Sequence, residues 1–228
     1  MASAVTLEVH DAISIVTLDD GKVNALSPAV LDELHGAFDD ASASSAVVLT
    51  GRPGIFSAGF DLKVLREGGP TAVEQLRSGF TLAEKIVNYP VPVIAAVSGH
   101  AMAMGAFLVL AADYRVGPNG HYRVAINEVT IGMTVPQGTL EMCRRRLTPA
   151  VLHRALTLAQ PFEGRAALDG GFFDEVVAVE GVRERAIEVA DSFANVDRAS
   201  YRSTKDRLDH AAREAIRVGI ENDLAALA

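Results

Sequence analysis

Two short β-rich runs, Val5 to Val9 and Ile13 to Leu18, flank His10-Asp-Ala12 near the start of the chain, a pattern that predicts a hairpin. The spacing then changes. Val30, Leu31, Leu34 and Phe38 recur at helical intervals, behind Ser27 as N-cap and Pro28 at the first helical position. A β-branched run from Ala46 to Thr50 predicts the next strand, and Leu62 to Leu65 begins a short helix that Glu67-Gly-Gly-Pro70 ends. Helical periodicity returns from Val73 to Asn88 and stops at Tyr89-Pro-Val-Pro92. Strand Val93 to Val97, an apolar helix from Gly105 to Ala112, strand Tyr114 to Val116 and the segment Arg123 to Ile126 follow. This alternation predicts an α/β fold. From Leu140 onward the pattern is helical except for a short strand from Asp174 to Val179, with C-terminal helices at Val182 to Ala194 and Ala199 to Val218.

Two stretches interrupt the pattern with small residues. In Arg52-Pro-Gly-Ile-Phe-Ser-Ala-Gly-Phe-Asp-Leu-Lys63 the turn Ser57-Ala58-Gly59 lies between a strand and a helix start, and Ser98-Gly-His-Ala-Met-Ala-Met-Gly-Ala106 repeats the design. Such turns leave backbone N–H groups unpaired, and two of them can aim two donors at one oxygen. That geometry is an oxyanion hole, in which losing one donor costs roughly 3 kcal/mol.

These stretches resemble the crotonase superfamily, the enoyl-CoA hydratase and isomerase fold. The likeness continues, in the family's order, through Leu18-Asp-Asp-Gly-Lys-Val-Asn-Ala-Leu26, Ala112-Asp-Tyr-Arg-Val116, Ile126-Asn-Glu-Val-Thr-Ile-Gly132, the block from Ala159 to Val177, and Ser203-Thr-Lys205. It implies a ClpP-like spiral of ββα units over residues 1–180 and a helical trimerisation region over 181–228. It also implies an acyl-CoA enzyme of fatty-acid metabolism that assembles as a trimer or a dimer of trimers. A coenzyme A thioester would be the substrate, and no cofactor or metal is expected.

Residue by residue, the family's motif places the oxyanion amides at Phe60 and Met104 and a catalytic carboxylate at Glu128. Met104 stands where a glycine is usual. The hydratases' other glutamate falls at Phe107, which cannot transfer a proton, so a two-carboxylate hydration loses a partner. One carboxylate with an oxyanion hole is the arrangement that the resemblance associates with Δ3,Δ2-enoyl-CoA isomerases, since a single group between C2 and C4 can remove one proton and return it. Pro136 replaces the further acid of dienoyl-CoA isomerases. Lys22, Ala25, Leu26, Ala58, Phe60, Asp61, Leu62, Met104, Gly105, Phe107 and Pro136 are the expected substrate-binding positions, several through backbone alone. The rival readings are an enoyl-CoA hydratase and an acyl-CoA binding protein without turnover.

Other residues read as structural. Lys205 suits a solvated helix face better than a phosphate site, and Arg144-Arg-Arg146 suits a solvated helix face or trimer contact better than a ligand site. His35, His100, His121, His153 and His210 lack an acidic partner or nucleophile at a recognisable spacing, while His10 sits in a turn. Phe80, Met102, Met133 and Phe162 suit the core better than an acyl tunnel. Ile187, Val189, Ala190 and Phe193 form an apolar stretch expected to bury surface between protomers.

Composition narrows the picture further. A chain of 228 residues with 49% hydrophobic content can bury one large core. Its formal charge of -8 and lack of a long basic tract argue against nucleic acid. The single Cys143 fits a reducing compartment. Neither a signal-like start nor an apolar run of membrane-spanning length is present, the longest being Ala101 to Ala112. The expected location is the cytoplasm.

Overall fold

The computed structural model describes residues 3–193 and 195–226. The chain opens with strands β1 (Val5–His10) and β2 (Ile13–Leu18), paired antiparallel around a two-residue turn in which Asp11 takes φ 55°. A two-residue strand β3 (Ala25–Leu26) leads into helix α1 (Pro28–Asp40), whose first turn is capped by the Ser27 side chain accepting from the Val30 N–H.

Three strand–strand–helix units follow. The first is β4 (Ala46–Gly51), β5 (Gly54–Ser57) and β6 (Gly59–Phe60), then α2 (Leu62–Glu67) and α3 (Gly69–Val87). The second is β7 (Val93–Ala96), β8 (Gly99–Met102) and α4 (Met104–Ala111). The third is β9 (Tyr114–Pro118), β10 (Arg123–Ala125), a 3-10 turn at Glu128–Ile131 and α5 (Gln137–Arg146). After these come α6 (Pro149–Thr157), β11 (Phe162–Glu163), α7 (Gly164–Gly170), β12 (Glu175–Val177), α8 (Val182–Ser192) and α9 (Arg198–Ala225).

The first strand of each unit enters a six-stranded sheet of order β1-β2-β4-β7-β9-β12, parallel from β2 onward. The second strands build a separate sheet of order β11-β10-β8-β5. Chain order and sheet order therefore advance together, one strand per turn of a spiral. The fold is α/β of crotonase type with a long C-terminal helix.

Burial on both faces explains why the central strands are apolar runs rather than alternating ones. Val47, Leu49, Val93 and Ala95 point into the main core beneath α1, α3 and α4, while Ala46, Val48, Ile94 and Ala96 point into a second core covered by α8. Val189 and Ala190 on α8 are buried in that second core, with Ile187 and Phe193 packed against it. Of the apolar stretch expected between protomers, Val189 and Ala190 are therefore used inside the chain, because the rear face of the sheet needs a cover, while Ile187 and Phe193 are only partly covered.

Several boundaries differ from the sequence expectation. Gly68 and Gly69 interrupt the helical path for hardly more than a residue, so α3 starts four residues before Val73. α9 extends to Ala225 rather than ending at Val218, and Ala194, the expected end of α8, lies outside the described residues. The two-residue strands β3, β6 and β11, together with β5 and β8, were not predicted. They are short, contain glycine or lack β-branched runs, and take their conformation from tertiary pairing.

Candidate active site

The turn after β5 begins with a bulge. β5 and β8 pair Ile55 with His100 but Ser57 with Ala101, so Phe56 is the extra residue that redirects the chain. A buried Asn24, in the left-handed region at φ 54°, donates from its carboxamide to the Leu18 and Phe56 carbonyls at 2.8 and 3.1 Å. Ser57 Oγ donates to the Asn24 carbonyl at 2.8 Å, and the Ala58 N–H donates to the Val23 carbonyl at 3.0 Å. These bonds hold β3 against β6, with Ala25 opposite Gly59 and Leu26 opposite Phe60.

The second turn meets the first directly. A Cβ on Gly59, which sits at φ 87°, would stand 2.9 Å from Ala103 Cβ and 3.1 Å from the Met104 nitrogen. One on Gly105 would stand 2.7 Å from the Ser57 carbonyl oxygen. Glycines at 59 and 105 allow this approach, which brings Gly59, the residue before Phe60, against the backbone of Met102 and Met104. Met104 is the first residue of α4, where an N–H has no acceptor within its own helix. Its side chain is buried in the core at 1% exposure, so the N–H is what it can offer. Replacing the family's usual glycine by Met104 thus costs no room on the ligand side.

Ala103 carries the strain of this turn. Its φ of 49° and ψ of -123° are unusual for a residue with a Cβ. Ala103→Gly is expected to raise unfolding stability by about 1 kcal/mol, the relief of that strain less the extra unfolded-state entropy. A urea titration in which the midpoint stays or falls would show that the backbone is relaxed as it stands.

A cavity of about 70 Å³ lies at the junction of the two turns. Ala58 and Phe60 from the first turn and Ala103 from the second border it, and Phe107, one turn into α4, closes one side at 1% exposure. Asn127, Glu128 and Met133 also border the cavity, with Pro136, which immediately precedes α5. Leu62, Leu65, Leu76, Phe80 and Ile131 complete an apolar wall. Phe80 and Met133 thus border the cavity, contrary to the expectation that they only fill the core, whereas Met102 and Phe162 are not among its lining residues. Leu65, Leu76, Asn127 and Ile131 carried no sequence signal beyond helical spacing or proximity to Glu128.

Glu128 is the one titratable residue among those bordering the cavity. It is 6% exposed, and its Oε2 has no hydrogen-bond partner. Burial disfavours the charged carboxylate and pushes its pKa up from the ordinary 4.5 to about 7. A carboxyl group so placed can exchange a proton with a neutral-pH substrate in either direction.

The remaining expected positions fall beside the cavity or away from it. Asp61 caps α2 by accepting from the Lys63 N–H at 2.8 Å. Leu26 is fully buried, and Lys22 is exposed in the loop before β3, its carbonyl accepting from Arg52. Lys205 is not solvated: it is 7% exposed and donates to Asp113 at 2.9 Å and to the Tyr201 hydroxyl at 3.1 Å. Arg145 likewise pairs with Asp209, both side chains about nine-tenths buried, so only Arg144 of the three arginines is an exposed residue. His121 does have an acidic partner, Glu163 at 3.2 Å, but the 42-residue separation hides it from any local pattern. Among the described residues no cluster suited to a metal ion occurs, and no helix is long and apolar enough to cross a membrane.

Such a pair of turns, joined to a buried carboxyl group, suits the carbonyl oxygen of an acyl thioester. Comparison with known proteins agrees. The enoyl-CoA hydratase/isomerase family profile matches residues 8–227. A carnitinyl-CoA dehydratase of Citrobacter koseri is 30% identical over 200 residues, 86% of this chain and 76% of that protein. An enoyl-CoA hydratase, EchA3, of Mycobacterium ulcerans Agy99 superposes with a TM-score of 0.95 at 42% identity, covering 98% of this chain and 99% of that one. A structure described as the Mtb enoyl-CoA isomerase gives 0.94 at 43% identity, covering 99% of each chain. The chain belongs to the enoyl-CoA hydratase/isomerase family of the crotonase superfamily, a family of enzymes.

Proposed function

We propose that the protein is an enoyl-CoA isomerase that moves a double bond from C3 to C2 of an acyl-CoA. The Phe60 and Met104 N–H groups receive the thioester oxygen. Glu128, as carboxylate, removes a proton from C2, and negative charge spreads over the dienolate onto that oxygen. The resulting Glu128 carboxylic acid returns the proton to C4, leaving the double bond between C2 and C3 and the carboxylate ready for another cycle. The observation that carries this reading is the isolation of Glu128, the sole carboxyl group among the residues bordering the cavity, which it shares with Phe107, the position where by likeness to the family a two-acid hydration has its second carboxylate.

The experiment is to supply a 3-enoyl-CoA and crotonyl-CoA separately and follow the conjugated enoyl thioester by absorbance. Conversion of the first with little consumption of the second is expected. Efficient hydration of crotonyl-CoA instead would favour the hydratase reading, which the names of the similar EchA3 and carnitinyl-CoA dehydratase support. Binding of both with turnover of neither would favour a carrier.

Assembly as a trimer is part of the same proposal, by likeness to the family. The interface must draw on surfaces other than the sheet-facing side of α8. Light scattering is expected to return three times the 24.1 kDa chain mass, and a monomer at micromolar concentration would contradict it.

A further inference from the structure

Helix α3 contributes no atom to the proposed chemistry, yet it touches the oxyanion strand at two successive residues. Gly79 is a buried glycine well inside this 19-residue helix, where glycine is the poorest former apart from proline. A Cβ there would lie 2.3 Å from Phe60 Cε1 and 2.5 Å from Cζ. The Phe60 ring therefore rests directly on the helix backbone. Phe80, the next residue, meets the same ring edge-on, with centroids 5.8 Å apart and planes at 78°. One turn earlier, Gln75 is fully buried, and its Nε2 donates to the Asp61 carbonyl at 3.1 Å. Its Oε1 has no partner. A helix that retains a glycine and a half-satisfied buried amide, each directed at residues 60 and 61, tolerates two unfavourable local choices for one placement.

We propose that Gly79 and Gln75 are positioning residues that set the direction of the Phe60 N–H: Gly79 provides the slot for the ring, and Gln75 ties down the following carbonyl. Phe60 is fixed at both ends of its backbone unit. β3 pairing holds the Gly59 side, and the Gln75 amide holds the Asp61 side. With the ring seated, rotation about the Phe60 backbone is blocked, so the N–H points at one place. A Cβ at residue 79 would lift the ring and turn that N–H away from the oxygen it is to receive. The inference rests on the reading of Phe60 as an oxyanion donor but not on which reaction follows.

The test uses a saturated thioester, butyryl-CoA labelled with carbon-13 at its carbonyl, which has no double bond to move or hydrate. Its carbonyl stretch, read by isotope-edited infrared difference spectroscopy, reports the strength of the oxyanion donors. Binding to the parent protein is expected to lower the frequency. Gly79→Ala is expected to lose at least half of that lowering while the dissociation constant changes less than about threefold, and kcat should fall at least tenfold with KM nearly unchanged. Gly79→Ala combined with Phe60→Leu, which removes the collision and keeps the N–H, should recover most of the lost shift. Gln75→Leu should show a smaller loss in the same direction, and it serves as the readout if Gly79→Ala does not fold.

An unaltered carbonyl shift in Gly79→Ala and Gln75→Leu would overturn the inference, as would a double variant no better than Gly79→Ala. No lowering in the parent protein would instead remove the oxyanion reading itself. Failure to isomerise 3-enoyl-CoA with the spectroscopic pattern intact would remove only the assigned reaction.

Discussion

Glu128→Gln is expected to slow 3-enoyl-CoA isomerisation by about 100- to 10,000-fold, the usual contribution of a placed general base, while acyl-CoA affinity stays within a few fold. The amide keeps the volume of the carboxyl group and loses its proton chemistry. Because the Glu128 pKa is raised by burial to about 7, the parent kcat/KM should rise with pH along a limb centred near 7 and level off above it. The same ionisation governs stability. The folded protein holds this proton up to about pH 7, whereas the unfolded chain releases it near 4.5. Stabilisation from the protonated group is thus complete below about 4.5 and is lost as pH rises through 7. At roughly 1.4 kcal/mol per pH unit, that loss amounts to about 3 kcal/mol. Glu128→Gln, which does not titrate, should be more stable than the parent by about that amount at pH 8, relative to their difference at pH 4. Denaturation at the two pH values checks the sign, and equal isomerase rates for parent and variant would remove Glu128 from the mechanism.

Hydration of crotonyl-CoA by the parent should be slower than isomerisation by about 100-fold or more, the scale of one missing acid–base partner. Phe107 is the cause. It borders the cavity that Glu128 borders, at 1% exposure, so a carboxylate there would reach the same substrate. Phe107→Glu should therefore raise hydration and lower isomerisation. It should also destabilise the protein by several kcal/mol, about 2–5, because a carboxyl group replaces an aromatic ring in an apolar wall. The ratio of the two rates, measured on folded protein, is the discriminating number. A parent enzyme that hydrates crotonyl-CoA as fast as it isomerises would show that another group does the work assigned to a second carboxylate.

Much of the frame is legible in the sequence because burial on both sides of a parallel sheet leaves a simple mark. Ala46 to Thr50 and Val93 to Val97 read as strands since every residue is covered, and Ser27-Pro28 marks a helix start by local chemistry alone. The second sheet leaves no such mark. Gly54–Ser57 and Gly99–Met102 become strands only because each turn of the spiral presents the next one with a partner, and no window of residues contains that partner. The site divides the same way. Glu128, Phe60 and Met104 stand out by likeness of motif; Glu128 and Phe60 border one cavity, and Met104 follows Ala103, which borders it too. Leu65, Leu76 and Asn127 reach that cavity by packing, and the links Lys205–Asp113 and Arg145–Asp209 join residues 92 and 64 positions apart.

The contact between Gly59 and the start of α4 has a consequence for anyone mapping this protein by mutation. A survey that trims side chains to alanine would pass over much of the proposed reaction centre, because the proposed donors are main-chain atoms and the glycines that let them meet have nothing to trim. The vulnerable positions are those where atoms are added. Growth by one methyl group at 59 or 105 would push against backbone at under 3 Å, so a scan in the enlarging direction would outline the centre, and one in the shrinking direction would report chiefly Glu128 and the Asn24, Ser57 and Gln75 side chains that brace the turns.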